Sequence, residues 1–291
     1  MLNKMTQGIL VDATFGGGGH TARLIEATPT SVQILAFDRD SDAAANLAPE
    51  WDRVDFVQRS FGEIEDILDE KSIKEISGAL FDLGVSSHQL DEAERGFSYQ
   101  CSGPLDMRMG PDAPFSAEEI VNEWSEAELS QTIHMYGEER FAKRIAQTIV
   151  QARPLTDTAM LVDIVKSAIP AATRRTGGHP ARRTFQAIRI AANDELGELE
   201  RGLDGALARL TPGGRCVVIS YHSLEDRYVK RRFAASALGC DCPPDLPVCA
   251  CGKTPEFEIL TRKPIVPSDA EIERNPRSRS AKMRVIKKVA A

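Results

Sequence analysis

Short apolar runs alternate with amphipathic stretches over the first third of the chain, a rhythm that predicts parallel βαβ units. Gly8-Ile-Leu-Val-Asp12, residues 34–38, Val54–Val57 and Ile76–Asp82 read as strands, and helical periodicity fills 20–27, 42–47 and 63–70 between them. Right-handed crossovers place the C-terminal ends of such strands on one edge, where open α/β sheets hold ligands. Beyond residue 104 the pattern turns helical only, over 117–122, 126–135, 138–151 and 159–168. A Gly/Pro/Arg-rich loop at 173–180 follows, then one long helix over 184–210 stopped by Pro212-Gly-Gly214. Residues 216–220, 257–260 and 283–286 supply the last strands, with a short helix at 268–274. The expected architecture is α/β: a doubly wound sheet domain built from 1–103 and 184–291, interrupted by an all-helical insertion at 104–183.

With 42% hydrophobic and 27% charged residues in 291, the composition is that of a globular chain with an ample core. No apolar run approaches the ~20 residues that span a bilayer, and no signal-peptide pattern opens the sequence, so the expectation is a cytoplasmic protein with no membrane partner. A net charge of −7 argues against a polyanionic partner only if the charge is evenly spread. It is not. Residues 174–189 hold five arginines and no acid, and 272–291 are rich in Lys and Arg with Glu273 the single acid. Acids gather instead over 63–75 and 118–128.

Val11-Asp-Ala-Thr-Phe-Gly-Gly-Gly-Gly-His20 joins the first strand to the first helix. Glycines there allow a sharp turn and close backbone approach to a ligand. A dinucleotide fingerprint needs a third glycine three residues after the second, and counting from Gly16 and Gly18 that position is Thr21, so an NAD-type oxidoreductase is disfavoured. The frame Asp12-x-Thr-x-Gly-x-Gly-Gly looks instead like the first motif of class I (Rossmann-like) methyltransferases. Asp38, closing the second strand, suits both hydroxyls of an adenosyl ribose, and a helix-capping acid is the bland alternative. Asp82 closes the fourth strand, followed by Leu-Gly-Val-Ser-Ser87.

Longer strings then carry a closer resemblance. Asp12-Ala-Thr-Phe-Gly-Gly-Gly-Gly-His20, Phe81-Asp-Leu-Gly-Val-Ser-Ser87, Glu94-Arg-Gly-Phe-Ser98 and Gly103-Pro-Leu-Asp-Met-Arg-Met109 are four of them. Tyr136-Gly-Glu-Glu-Arg-Phe-Ala-Lys-Arg144, Thr184-Phe-Gln-Ala-Ile-Arg189, Ser223-Leu-Glu-Asp-Arg227 and Asn275-Pro-Arg-Ser-Arg-Ser-Ala281 continue the series. Together they resemble the RsmH (MraW) methyltransferases, which make N4-methylcytidine in the decoding centre of 16S ribosomal RNA. The resemblance implies a class I methyltransferase domain, a helical insertion that recognises RNA, S-adenosylmethionine as donor, and the small ribosomal subunit as partner. It implies donor contacts from Gly18, Gly19, His20, Asp38, Phe61, Asp82 and Gln89. A different RNA or nucleic-acid amine is the alternative acceptor. Such families carry a His-x-Pro-Val-type segment and a helix before the first strand; here that strand starts by residue 8, so the start is truncated or the element is lacking.

Cytosine's exocyclic amine is a poor nucleophile, because its lone pair is delocalised into the ring. Holding it in line with the methyl group supplies ~7–11 kcal/mol of the barrier, and an acceptor for its proton helps further. Asp82 and Ser86, with neighbouring Ser87, stand at the right strand end. Asp106 and His222 are further candidates, His222 being equally readable as structural. Tyr221 or Phe97 suits stacking on an unpaired base, with core packing as the competing reading. Arg174, Arg175, Arg182 and Arg183, with His179, fit a phosphate-gripping loop; Lys230-Arg-Arg232 and the basic stretch from Arg277 extend the same character. Cys240-x-Cys242 and Cys249-x-Cys251 offer four thiols to a structural zinc, yet the paired spacing is tighter than is usual for zinc and reduced thiols are the default. The chemistry itself needs no metal. Oligomeric state is left open, a homodimer among the choices.

Overall fold

The computed structural model describes residues 2, 5–174, 178–239, 251 and 254–289. Two compact units divide the chain, Met1–Gly84 with Glu198–Ala291, and Val85–Gly197. The second is wider at both ends than the 104–183 expected from the helical pattern, because the segments flanking that range pack into the helical core.

The first unit opens with β1 (Gly8–Asp12), α1 (Gly19–Ala27), β2 (Val32–Phe37), β3 (Val54–Val57), α2 (Ile64–Glu70) and β4 (Ile76–Asp82). The second contributes α3 (Ser87–Asp91), α4 (Ala117–Glu123), α5 (Glu126–Gly137), α6 (Ala142–Gln151), α7 (Thr158–Ala168), α8 (Ala171–Arg174) and α9 (Arg182–Asn193). α10 (Glu195–Arg209) carries the chain back into the first unit, which ends with β5 (Leu210–Ser220), α11 (Ser223–Ser236), β6 (Phe257–Ile259), α12 (Asp269–Arg274) and β7 (Lys282–Lys288).

The seven strands lie in the order β3-β2-β1-β4-β5-β7-β6. Pairs from β3 through β5 are parallel, and β7 runs antiparallel to both β5 and β6. Strand order reverses at β1, which makes its C-terminal end a switch point where ligands of open sheets bind. Because side chains alternate along a strand, Val11, Leu35, Phe81 and Val218 face one core with Leu199, Leu203, Val229 and Phe233. Leu10, Ile34, Leu80, Val217 and Val285 face another with Leu24. Both faces are buried, which is why the strands read as unbroken apolar runs. This is the doubly wound sheet that the sequence led us to expect.

In the helical unit, Ser116 with Glu119 and Ser125 with Glu128 form capping boxes that start α4 and α5. Ile120, Leu129, Ile133, Ile145, Ile149, Leu161 and Ile188 fill its core. Two expectations fail. The single helix over 184–210 is two, α9 and α10, broken at Asp194, whose φ of 49° is left-handed. The break is held by a bidentate pair, Arg189 Nε and Nη2 to Glu195 Oε1 and Oε2 at 2.7 and 2.9 Å. Pro212-Gly-Gly214 is no helix stop but lies inside β5, beside a register irregularity against β4; α11 and α3 were not foreseen. No helix among the described residues is long and apolar enough to cross a membrane.

Candidate active site

The turn after β1 is wound by glycines with two different duties. Gly16 and Gly18 have φ of 51° and 73°, in the left-handed region. At Gly18 an added Cβ would sit 3.1 Å from Trp51 and 3.2 Å from Phe15, so that glycine is needed for packing. At Gly17 and Gly19 a Cβ would meet nothing within 4 Å; both face open space. The Asp38 carboxylate, just past β2, accepts from the Gly16 amide at 2.7 Å and the Asp40 amide at 2.9 Å. Burial is the main cause that raises its pKa, with the charges of Asp40 and Asp12 adding to it. Fully buried Asp12 accepts from Thr21 Oγ1 at 2.7 Å, and burial lifts its pKa as well. An open glycine backbone beside clustered carboxylates fits a cationic adenosyl sulfonium, because the local field is negative.

Asp82 is the hub of the edge. His20 Nε2 lies 3.0 Å from its Oδ2, and the Tyr221 hydroxyl donates to its Oδ1 at 2.9 Å. Its backbone amide donates to Thr14 Oγ1 at 2.7 Å. The sheet dictates this meeting: Asp12 pairs with Leu80 across β1–β4, and Asp82 with Ile219 across β4–β5, so the residues just beyond converge. The hydrogen bond to Asp82 is the leading cause that raises the His20 pKa, and burial opposes it. Burial and the Asp82 charge push the Tyr221 phenol well above its ordinary range. The Tyr221 ring also lies over Gly84, where a Cβ would touch it at 3.6 Å.

Four expected residues thus share this edge of the first unit: Gly19, His20, Asp38 and Asp82. Phe61 belongs to the same unit, stacked edge-on upon Phe81 with centroids 5.5 Å apart. His222 has a structural role through Nδ1. It caps α11, its Nδ1 accepting from the Glu225 amide at 3.4 Å, while Nε2 sits 3.1 Å from Glu225 Oε1 without hydrogen-bond alignment. Burial of that ring, 9% exposed in its side chain, leaves it little access to an acceptor base.

Ser86 and Gln89 lie in the helical unit as the two halves of a capping box on α3, Ser86 Oγ accepting from the Gln89 amide at 3.1 Å and Gln89 Oε1 from the Ser86 amide at 3.0 Å. Ser87 opens α3 itself. Phe97 is buried in the helical core, as the packing reading required. Asp106 binds Arg108 Nε at 2.5 Å. Arg183 donates to the Glu138 carbonyl at 3.2 Å and Arg182 is exposed at the start of α9. His179 stacks on Tyr99, centroids 4.6 Å apart. The side chain of Arg174, and Arg175, Cys240, Cys242 and Cys249, lie outside the described residues, so the zinc reading is left where the sequence put it. Sequence reasoning missed the Tyr221–Asp82 bond and Thr14; the signal was available in the strand order, since polar residues just past β1, β4 and β5 must meet.

Among known proteins, the family model described as the MraW methylase family matches residues 1–289. A protein of Symbiobacterium thermophilum named ribosomal RNA small subunit methyltransferase H is 54% identical, over 98% of this chain and 92% of its own. Its namesake in Heliobacterium modesticaldum is 51% identical, over 99% and 95%. A third, in Brevibacillus brevis, is 49% identical, over 99% and 94%. Likeness of that depth along nearly the whole length leaves one conclusion: the chain belongs to the MraW methylase family.

Proposed function

We propose that the protein transfers a methyl group from S-adenosylmethionine to the N4 amine of a cytidine in small-subunit ribosomal RNA. The observation that carries this reading is the edge itself, where an open glycine turn and Asp38 stand beside the Asp82 hub in a chain of this family. When bound, the donor supplies an electrophilic methyl carbon on a cationic sulfur. Gly17 and Gly19 leave room for its backbone approach, Asp38 accepts from the ribose hydroxyls, and the carboxylates favour its charge. Phe61 completes the proposed donor contacts of the first unit. The helical unit, with Arg182 and Arg183 on α9 and Arg174 and Arg175 before it, grips the RNA backbone; its target base must be unpaired or flipped to be reached. The partner is the small subunit, and the reaction takes place in the cytoplasm.

The test is methylation of small subunits from a strain lacking the enzyme, using labelled donor, followed by nucleoside mass spectrometry. Label on N4-methylcytidine is the expected result. Label on a ring carbon or a ribose overturns the assignment.

A further inference from the structure

Resting on the amine-methylation reading above, we propose that His20 is the general base of the transfer, and that Asp82 and Tyr221 are positioning residues that hold it. Asp82 stands at the strand end where a base would be sought. Both of its oxygens are already acceptors, Oδ2 beside His20 at 3.0 Å and Oδ1 under the Tyr221 hydroxyl at 2.9 Å. Its backbone is pinned by Thr14. A carboxylate anchored on both oxygens is poorly placed to collect a proton and well placed to orient an imidazole. A carboxylate that fixes one ring nitrogen selects the tautomer and raises the basicity of the other.

Here the fixed atom is Nε2, so Nδ1 carries the lone pair. The His20 side chain is 43% exposed on the edge, whereas Asp82 is 26% exposed. His222, the other histidine of this unit near the strand ends, caps its helix through Nδ1 and is 9% exposed in its side chain. Charged groups that act on the His20 ring are Asp82 from β4 and Asp12 from β1. Tyr221 is in turn faced by Asp82, Glu225 of α11 and Glu271 of α12. Asp82 and Asp12 favour a protonated His20 once it has done its work.

The step balances simply. The amine nitrogen's lone pair forms the bond to the methyl carbon while the carbon–sulfur bond breaks, its electron pair staying on sulfur. The N–H proton passes to His20 Nδ1, and the N–H bonding pair returns to nitrogen. His20 becomes an imidazolium paired with Asp82, then gives its proton to water from its exposed edge.

Only neutral His20 can accept, so kcat must rise with pH through the His20 pKa, which Asp82 holds above the ordinary imidazole value of 6.5. The experiment combines a histidine ring NMR titration of the full-length protein with kcat–pH profiles on small subunits. The two pKa values should coincide in the wild type. His20→Gln should lose the acid limb and ~10²- to 10⁴-fold in kcat. Asp82→Asn should lower both the NMR pKa and the limb together. Tyr221→Phe should cut kcat with little change in KM.

A wild-type limb that fails to match the His20 titration overturns the proposal, and needs no variant to be folded. So does a limb that persists in His20→Gln. Product analysis of the wild type separates the two levels. Label off the amine refutes the amine reading, whereas label on the amine with an unmoved profile refutes the assignment of His20 alone.

Discussion

Gly18 and Gly19 are neighbours that lack a side chain for opposite reasons. The first is enclosed by Trp51 and Phe15 at a left-handed φ, and the second faces open space. Gly18→Ala should therefore lower stability by about 1–3 kcal/mol, the usual cost of a strained left-handed residue, visible as a drop in Tm. Gly19→Ala should keep the Tm and weaken donor binding in calorimetry, since the methyl group intrudes on the ligand side. The motif was legible in the sequence; the division of labour within it was not, because a run of four glycines carries no sign of which one packs. Asp38→Asn should lose roughly 10- to 100-fold in donor affinity, the scale of a hydrogen bond to a charged group. His222 teaches the converse lesson. Its position after β5 is ambiguous in the sequence, and the structure adds one duty, the cap that it forms with Glu225.

At the level of elements, the first four strands were readable almost residue for residue, because burial on both faces leaves an apolar run bounded by polar turns. The break between α9 and α10 was not. Asn193 and Asp194 are ordinary in a helix, and only the contacts show that the helix must end there. Buried Asn193 donates to the Met107 carbonyl at 2.7 Å and accepts from the Met109 amide at 2.7 Å. It thereby holds Met107 at a φ of 56°. Asn193→Ala should cost roughly 1–3 kcal/mol for the buried groups left unmatched, measured by urea unfolding.

The junction of α11 with β7 offers a pH-dependent counterpart. Asp226 meets Arg284 Nε at 2.6 Å and Lys282 Nζ at 3.4 Å. Burial works to raise the Asp226 pKa, but Arg284 and Lys282 together outweigh it and hold the pKa below the ordinary value. Stability from this cluster is complete above the unfolded carboxylate's pKa of about 3.9 and is lost as pH falls through the lower folded value. Asp226→Asn should lower the urea midpoint at pH 7 and flatten its decline toward pH 3.

Over the whole molecule, charge is the property that the sequence conveyed in outline only. A net −7 with a basic segment at 174–189 predicted segregation, yet it could not show that Arg183 and Arg189 spend part of their charge on Glu139 and Glu195. Exposed Arg182 is the better candidate for phosphate contact. Subunit binding should weaken as salt rises, and Arg182→Ala should reduce the slope of log affinity against log salt by about 1, with donor affinity unchanged by calorimetry. Every residue of the glycine turn and the Asp82 hub belongs to the first unit, and Arg182 to the second.

The sheet's margins carry a final consequence. β3 and β6, the strands at its two borders, are also its shortest, with four and three residues. A border that brief offers few unsatisfied amides for another chain to zip onto. Concentrated solutions should accordingly resist fibril growth, and lengthening either border strand by design is the change most apt to turn this protein into a template for its own aggregation.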